Sequence, residues 1–196
     1  MHLFFKHMLI VSQNLLNYDV KLKSNTIFRV NLAWTTLKEL KKILRRHSKK
    51  TIFFDLPINR IKPPNNNYSI DDLVPILKKY TNIKYLAISN VEKKEDLLEY
   101  KKIIPNHITI VPKIESVNGI INIKEITNEL EAENKTIMLD HDDLFSSIIK
   151  SKKPVSIFTN YISKLVVFCK KNKITLLRTV GVVFSDDEFR ITQYIK

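Results

Sequence analysis

Two stretches of the chain carry charge at the ends of apolar, β-branched runs. Ile108 to Ser116 reads ITIVPKIES, and Thr136 to Leu144 reads TIMLDHDDL. Each has the composition of a buried strand. Each ends in side chains capable of chemistry: Lys113 and Glu115 in the first, and Asp140, His141, Asp142 and Asp143 in the second. Carboxylate oxygens suit a hard divalent cation, so Glu115 and Asp143 are candidate ligands for Mg²⁺ or Mn²⁺. Lys113 and Glu115 are two residues apart, and on a strand that spacing turns both side chains to one side. There the ammonium would balance negative charge developing on a substrate. The competing reading is that these charges only mark where strands leave the core and meet water.

Positioning such residues requires a framework of strands, and the rest of the chain supplies the pattern of one. Strands are expected at Phe4 to Val11, Thr26 to Trp34, Thr51 to Pro57, IKYLAISN, ITIVPKIES, KTIMLDHDD, Pro154 to Thr159 and Thr175 to Phe184. Helices are expected between them. Leu37, Leu40, Ile43 and Leu44 recur at helical spacing from Thr35 to about His47. Ser69 caps a helix with Asp71 and Asp72 in its first turn, running to about Tyr80. EKKEDLLEYKKII, Asn118 to Leu130, a short segment after the sixth strand, NYISKLVVFCKKNK and a closing segment capped by Ser185 complete the set. The loop INRIKPPNNNYS, with two prolines and three asparagines, resists regular structure.

About eight strands alternating with helices imply parallel pairing through right-handed crossovers. The expected fold is therefore α/β, a compact single-domain (β/α)₈ TIM barrel over residues 1–196. A doubly wound open sheet is the structural alternative. In a barrel the strand C-termini form the active face. Taken in strand order, the polar residues there are Arg29, Asn31, Asp55, Ser89, Asn90, Lys113, Glu115, Asp143 and Thr159. Such a cluster is costly to bury unless its members satisfy one another or bind something. A metal and a small anionic substrate would do that.

Composition narrows the function classes. Two glycines in 196 residues exclude Gly-rich phosphate cradles, which need several together. One cysteine, Cys169, excludes an internal disulfide and a thiolate cluster, and fits a cytoplasmic protein. Its neighbours VVFCKK place it on a helix as a buried, inert thiol. No apolar run approaches the ~20 residues that span a bilayer, so no membrane partner is expected. The N-terminus lacks a small-residue cleavage site and reads as a strand, not a signal peptide. The net charge of +13 raises nucleic-acid binding. The lysines, however, are dispersed over helix faces such as LKELKKILRRHSKK, which disfavours a nucleic-acid partner.

The motifs, in order, resemble those of the pyruvate kinase barrel and its relatives in the phosphoenolpyruvate/pyruvate superfamily, among them the HpcH/HpaI aldolases and the citrate lyase beta subunit. IFRVNLAW resembles RxNxSH, FFDLPINRIK resembles DLKGPKIR, and KYLAISNVEKKEDL resembles YIALSFVRxxED. VPKIESVNGIINIKEI is similar to AKIENxEGxxNxxEI, IMLDHDDL to IMVARGDL, and KPVSIFTNYI to KPVICATQML. The match runs from about Thr26 to Asn160. The sequence departs from the family where Asp142 replaces a glycine, Ala33 replaces a serine, and a short loop replaces the kinase lid domain.

The resemblance implies a pyruvate kinase-like barrel without the lid. Glu115 and Asp143 would hold the divalent metal that chelates pyruvate or phosphoenolpyruvate, and Lys113 would stabilise the enolate. Arg29 and Arg60 would face the anionic group. Asn31 and Asp55 match ligands of a monovalent cation, K⁺, and Thr159 matches a threonine near the methylene carbon. The expected function is a metal-dependent enzyme forming or using a pyruvate enolate, a carbon–carbon lyase/aldolase or a phosphoenolpyruvate-using transferase. A non-catalytic barrel that works only with a partner enzyme domain is the alternative, and a homo-oligomer is the other protein partner considered.

Overall fold

The computed structural model describes residues 10–13, 24–58 and 69–178. The chain divides into two compact units, Met1–Leu86 with Ile104–Thr109 and Ala87–Ile103 with Ile110–Lys196.

The first unit holds β1 (Ile10–Ser12), β2 (Ile27–Asn31), a 3₁₀ turn (Leu32–Trp34), α1 (Leu37–Arg46), β3 (Thr51–Leu56) and α2 (Ile70–Lys79). β1 pairs with β2, and β2 with β3, both parallel. Each helix starts where the sequence places a reciprocal cap. Thr36 accepts from the Glu39 amide while Glu39 reaches back to Thr36, and Ser69 and Asp72 repeat the arrangement. Leu40 and Leu44 on α1, and Leu73 and Leu77 on α2, are fully buried at i, i+4 spacing. Ile52, Phe53 and Phe54 are all buried on β3, the mark of a strand covered on both faces.

The second unit holds α3 (Glu95–Ile103), all but the first residue of β5 (Thr109–Ile114), α4 (Val117–Ile121), α5 (Ile123–Asn128), β6 (Thr136–Leu139), α6 (His141–Lys150), α7 (Ile157–Lys171) and β7 (Thr175–Arg178). β4 is Ile83–Ile88. β5 pairs with β6, and β6 with β7, again parallel. Val111, Ile114, Ile137, Leu139, Leu144, Ile148 and Leu165 are buried here. Phe145 meets Phe158 edge to face at 5.4 Å.

Hydrogen-bonded strands follow chain order, β1 to β7, in a seven-stranded sheet. The α/β class is as expected. The closed eight-stranded TIM barrel is not: among the described residues there are seven strands, with β1 and β7 at opposite ends of the order. The sequential order also lacks the reversal of a doubly wound sheet.

The missing strand is the one expected at Pro154 to Thr159. Phe158 is instead the first member of a buried helical stripe continued by Ile162, Leu165 and Cys169, so α7 begins at Ile157. The 3.6-residue period of that stripe outweighs the short β-like run before it. The segment expected as one helix from Asn118 to Leu130 is two, broken at Asn122. Most of the first and last strand candidates, the loop carrying Arg60 and the closing helix lie outside the described residues. Among those described, no helix is long and apolar enough to cross a membrane.

Candidate metal and anion centre

Lys113 near the end of β5 and Glu115 immediately after it lie at the C-terminal end of the second unit's strands, where ligands of parallel sheets are bound. Both are buried, at 5% and 3% exposure. The Lys113 ammonium lies 2.6 Å from Glu115 Oε1, 3.8 Å from Asp140 Oδ2 and 3.3 Å from the Ser89 hydroxyl, to which it donates. The other Glu115 oxygen, Oε2, accepts from the Asn90 amide at 2.6 Å. Burial pushes the Glu115 carboxyl above the ordinary carboxylate range, and Lys113 and the Asn90 amide offset part of that shift.

The turn that presents Asn90 is held from several directions. Asn90 has a left-handed φ of 55°, which asparagine tolerates better than most residues. The Val91 amide donates to the Lys113 carbonyl at 3.3 Å, and Asn122 donates to the Glu92 carbonyl at 2.8 Å. Gly119 allows α4 to approach the same turn. A Cβ there would fall 2.8 Å from the Val91 carbonyl oxygen and 3.3 Å from Ile114 Cγ2.

β6 ends at Leu139, and Asp140 caps α6 by accepting from the Asp143 amide. Asp143 therefore lies in the first turn of a helix and not at a strand tip, and it is exposed. One carboxylate oxygen from each of Glu115, Asp140 and Asp143 lies within 4.8 Å of the others. Oxygens bound to one Mg²⁺ at ~2.1 Å stand at most ~4.2 Å apart, so the three would draw slightly closer to share an ion. The donor set fits a hard divalent cation: three carboxylates face one ammonium, leaving negative charge for a cation to balance. Asp140, which was not among the expected metal ligands Glu115 and Asp143, completes the set.

His141 follows directly and is buried at 2% exposure. Arg178, at the end of β7, brings Nε and Nη2 to 3.3 and 3.2 Å from His141 Nε2. Burial, with Arg178 second, holds the imidazole below its ordinary pKa. Arg178 escaped sequence reading because it sits inside an apolar run, TLLRTVGVVF, with no motif around it.

The remaining candidates divide. In the first unit Arg29 donates to Asp55 Oδ2 through Nε at 2.9 Å and also through Nη2, so an ion pair joins two residues expected to bind different ions. The Asn31 side chain accepts from the Ala33 amide at 3.0 Å, capping the 3₁₀ turn. Thr159 is exposed in the first turn of α7, because its expected strand is helix. Arg60 lies outside the described residues.

No protein-family model and no curated protein matches the chain. Among solved structures it is similar to RipC from Yersinia pestis, with 14% identity and a TM-score of 0.59, covering 91% of this chain and 77% of RipC. At that identity the likeness is one of fold.

Proposed function

We propose that this protein is a divalent-metal-dependent enzyme that forms or uses the enolate of pyruvate or another 2-oxo acid, either as a carbon–carbon lyase/aldolase or as a phosphoenolpyruvate-using transferase. The supporting observation is a buried ammonium, Lys113, set against three carboxylates that converge within 4.8 Å. Glu115, Asp140 and Asp143 would hold Mg²⁺ or Mn²⁺, which when bound acts as a Lewis acid toward the oxygens of a 2-oxo acid. Lys113 supplies a fixed positive charge at low exposure, where stabilisation of an enolate oxygen is strongest. Ser89 orients that ammonium. The Asn90 amide fixes Glu115 and so sets the direction of its second oxygen. Asp143, the exposed member, marks the open side from which substrate arrives. Arg29 is engaged with Asp55, and the Asn31 side chain with the Ala33 amide. A cytoplasmic location belongs to the same proposal and rests on the lone cysteine.

Mn²⁺ titration of the full chain, followed by electron paramagnetic resonance, tests the centre. Glu115→Gln and Asp143→Asn should each weaken binding at least ~10-fold, about 1.4 kcal/mol. Equal affinity in parent and variants would overturn the metal assignment. A second reading, a non-catalytic component acting with a partner domain, is favoured by the direct Lys113–Glu115 contact, which partly neutralises the centre by itself. Turnover of oxaloacetate by the isolated chain would exclude it.

A further inference from the structure

Nearly half of the chain's net positive charge sits in one segment of the first unit. Residues 37–50 hold seven Lys and Arg against one acid, a net +6 of the chain's +13. All seven cations are exposed. Five of them, Lys38, Lys41, Lys42, Arg45 and Arg46, lie on α1. At ~100° per residue they fall within ~140° of arc, on the side away from the buried Leu40 and Leu44. The lysines of this segment are therefore gathered, not dispersed. By contrast, α2 and α3 carry acids in their first turns that balance the lysines in their last.

Nothing within the protein neutralises this face. The one acid, Glu39, is turned back onto the Thr36 amide and hydroxyl as part of the helix cap. Among the described residues none of the seven cations is in an ion pair. Like charges three and four residues apart destabilise a helix, and a bound polyanion would relieve them. Arg45 Nε donates to the Lys41 carbonyl at 3.1 Å, which fixes the guanidinium along the helix and leaves its Nη groups to donate outward. From Lys38 to Arg46 the helix rises ~12 Å, the axial length over which one nucleic-acid strand presents about four phosphates. Trp34, the chain's single tryptophan, lies two residues before the Thr36 cap and is 64% exposed. An exposed indole beside a basic track is a platform on which an unpaired base stacks. A membrane surface fits less well, because a helix lying on lipid buries its apolar face there, and that of α1 is already buried in the protein.

We propose that the outer face of α1, with Trp34 at its N-terminal end, binds single-stranded nucleic acid, the cations holding the phosphate backbone and the indole stacking one base. The assignment is independent of the metal and 2-oxo acid reading.

The test is fluorescence anisotropy of a labelled single strand of ~20 nucleotides, titrated with the full chain at 50 and 200 mM salt. Four neutralised phosphates predict a log–log salt slope of about −2.8, so binding should be roughly 50-fold weaker at the higher salt. Lys38→Gln/Lys41→Gln/Arg45→Gln should weaken binding at least ~10-fold at 50 mM and flatten the salt dependence. Lys164→Gln/Lys170→Gln/Lys171→Gln removes as much charge from α7 and should stay within ~3-fold of the parent. Trp34→Ala should weaken binding at least ~5-fold, and an unlabelled strand should quench the Trp34 emission of the parent. Circular dichroism confirms that each variant is folded. Absence of binding at 50 mM, equal losses in the two triple variants, or unchanged affinity in Trp34→Ala would overturn the assignment. So would tighter binding to a duplex of the same sequence, tighter binding to phosphatidylglycerol vesicles, or displacement of the strand by polyglutamate as readily as by unlabelled strand.

Discussion

Lys113 on β5 and Glu115 just past its end meet at 2.6 Å between Nζ and Oε1, where neither side chain is more than 6% exposed. A pair this buried carries a large desolvation penalty that its attraction offsets only while both members are present. Lys113→Met should therefore lower stability by about 3–5 kcal/mol, because Glu115 is left charged and unpaired. Urea denaturation measures the loss. The double variant Lys113→Met/Glu115→Leu should recover most of it, and failure to recover would show that Lys113 contributes mainly by packing.

Asp140 has two jobs that conservative substitutions can separate. It caps α6 and it offers an oxygen to the carboxylate cluster. Asn is as good an N-cap as Asp, so Asp140→Asn should change stability by only a few tenths of a kcal/mol while weakening Mn²⁺ binding ~10-fold. Asp140→Ala should lose about 1 kcal/mol of stability as well. Thermal denaturation alongside Mn²⁺ titration distinguishes the two.

Asn90 should tolerate replacement in an order set by its backbone and not by its size. At φ 55° glycine is permitted, whereas a β-branched side chain is strained. Asn90→Gly is expected to be within ~1 kcal/mol of the parent, and Asn90→Val to cost about 1–3 kcal/mol. If Val were tolerated as well as Gly, the strained turn would not be what aims the amide at Glu115.

Gly119 is a packing glycine. Its φ needs no special freedom, but an added methyl would press on the Val91 carbonyl at 2.8 Å. Gly119→Ala should cost about 1–3 kcal/mol. Because Val91 is hydrogen-bonded to the Lys113 carbonyl, the displacement should also reach the carboxylate cluster, and Mn²⁺ affinity should fall with stability.

Cys169 is buried on α7, and burial pushes its thiol up to about 12. At pH 8 it should resist alkylation in the folded protein and react on addition of denaturant, as mass spectrometry would show. A pKa raised by folding adds stability that is fully present below the unfolded thiol value of about 8.5 and is lost as pH climbs toward the folded value. Alkaline destabilisation between those limits should be smaller in Cys169→Ala than in the parent. Rapid alkylation of the native protein would contradict the burial argument.

What the sequence determined by itself is local. The Thr36–Glu39 cap, the cap at Ser69, the leucine spacing of α1 and the cores of β2 to β6 follow from periodicity and short-range hydrogen bonding, which act over a few residues. So does the same-side placement of Lys113 and Glu115, since a strand repeats every two residues. Tertiary structure decided the rest. Whether 154–159 was strand or helix depended on a buried stripe reaching Cys169, and with it went the expectation of eight strands. Arg29 met Asp55 across neighbouring strands, Asp140 turned back as a helix cap beside Glu115, and Arg178 found His141 from 37 residues away. Such pairings are fixed by strand register and chain crossover, which no spacing in the sequence records.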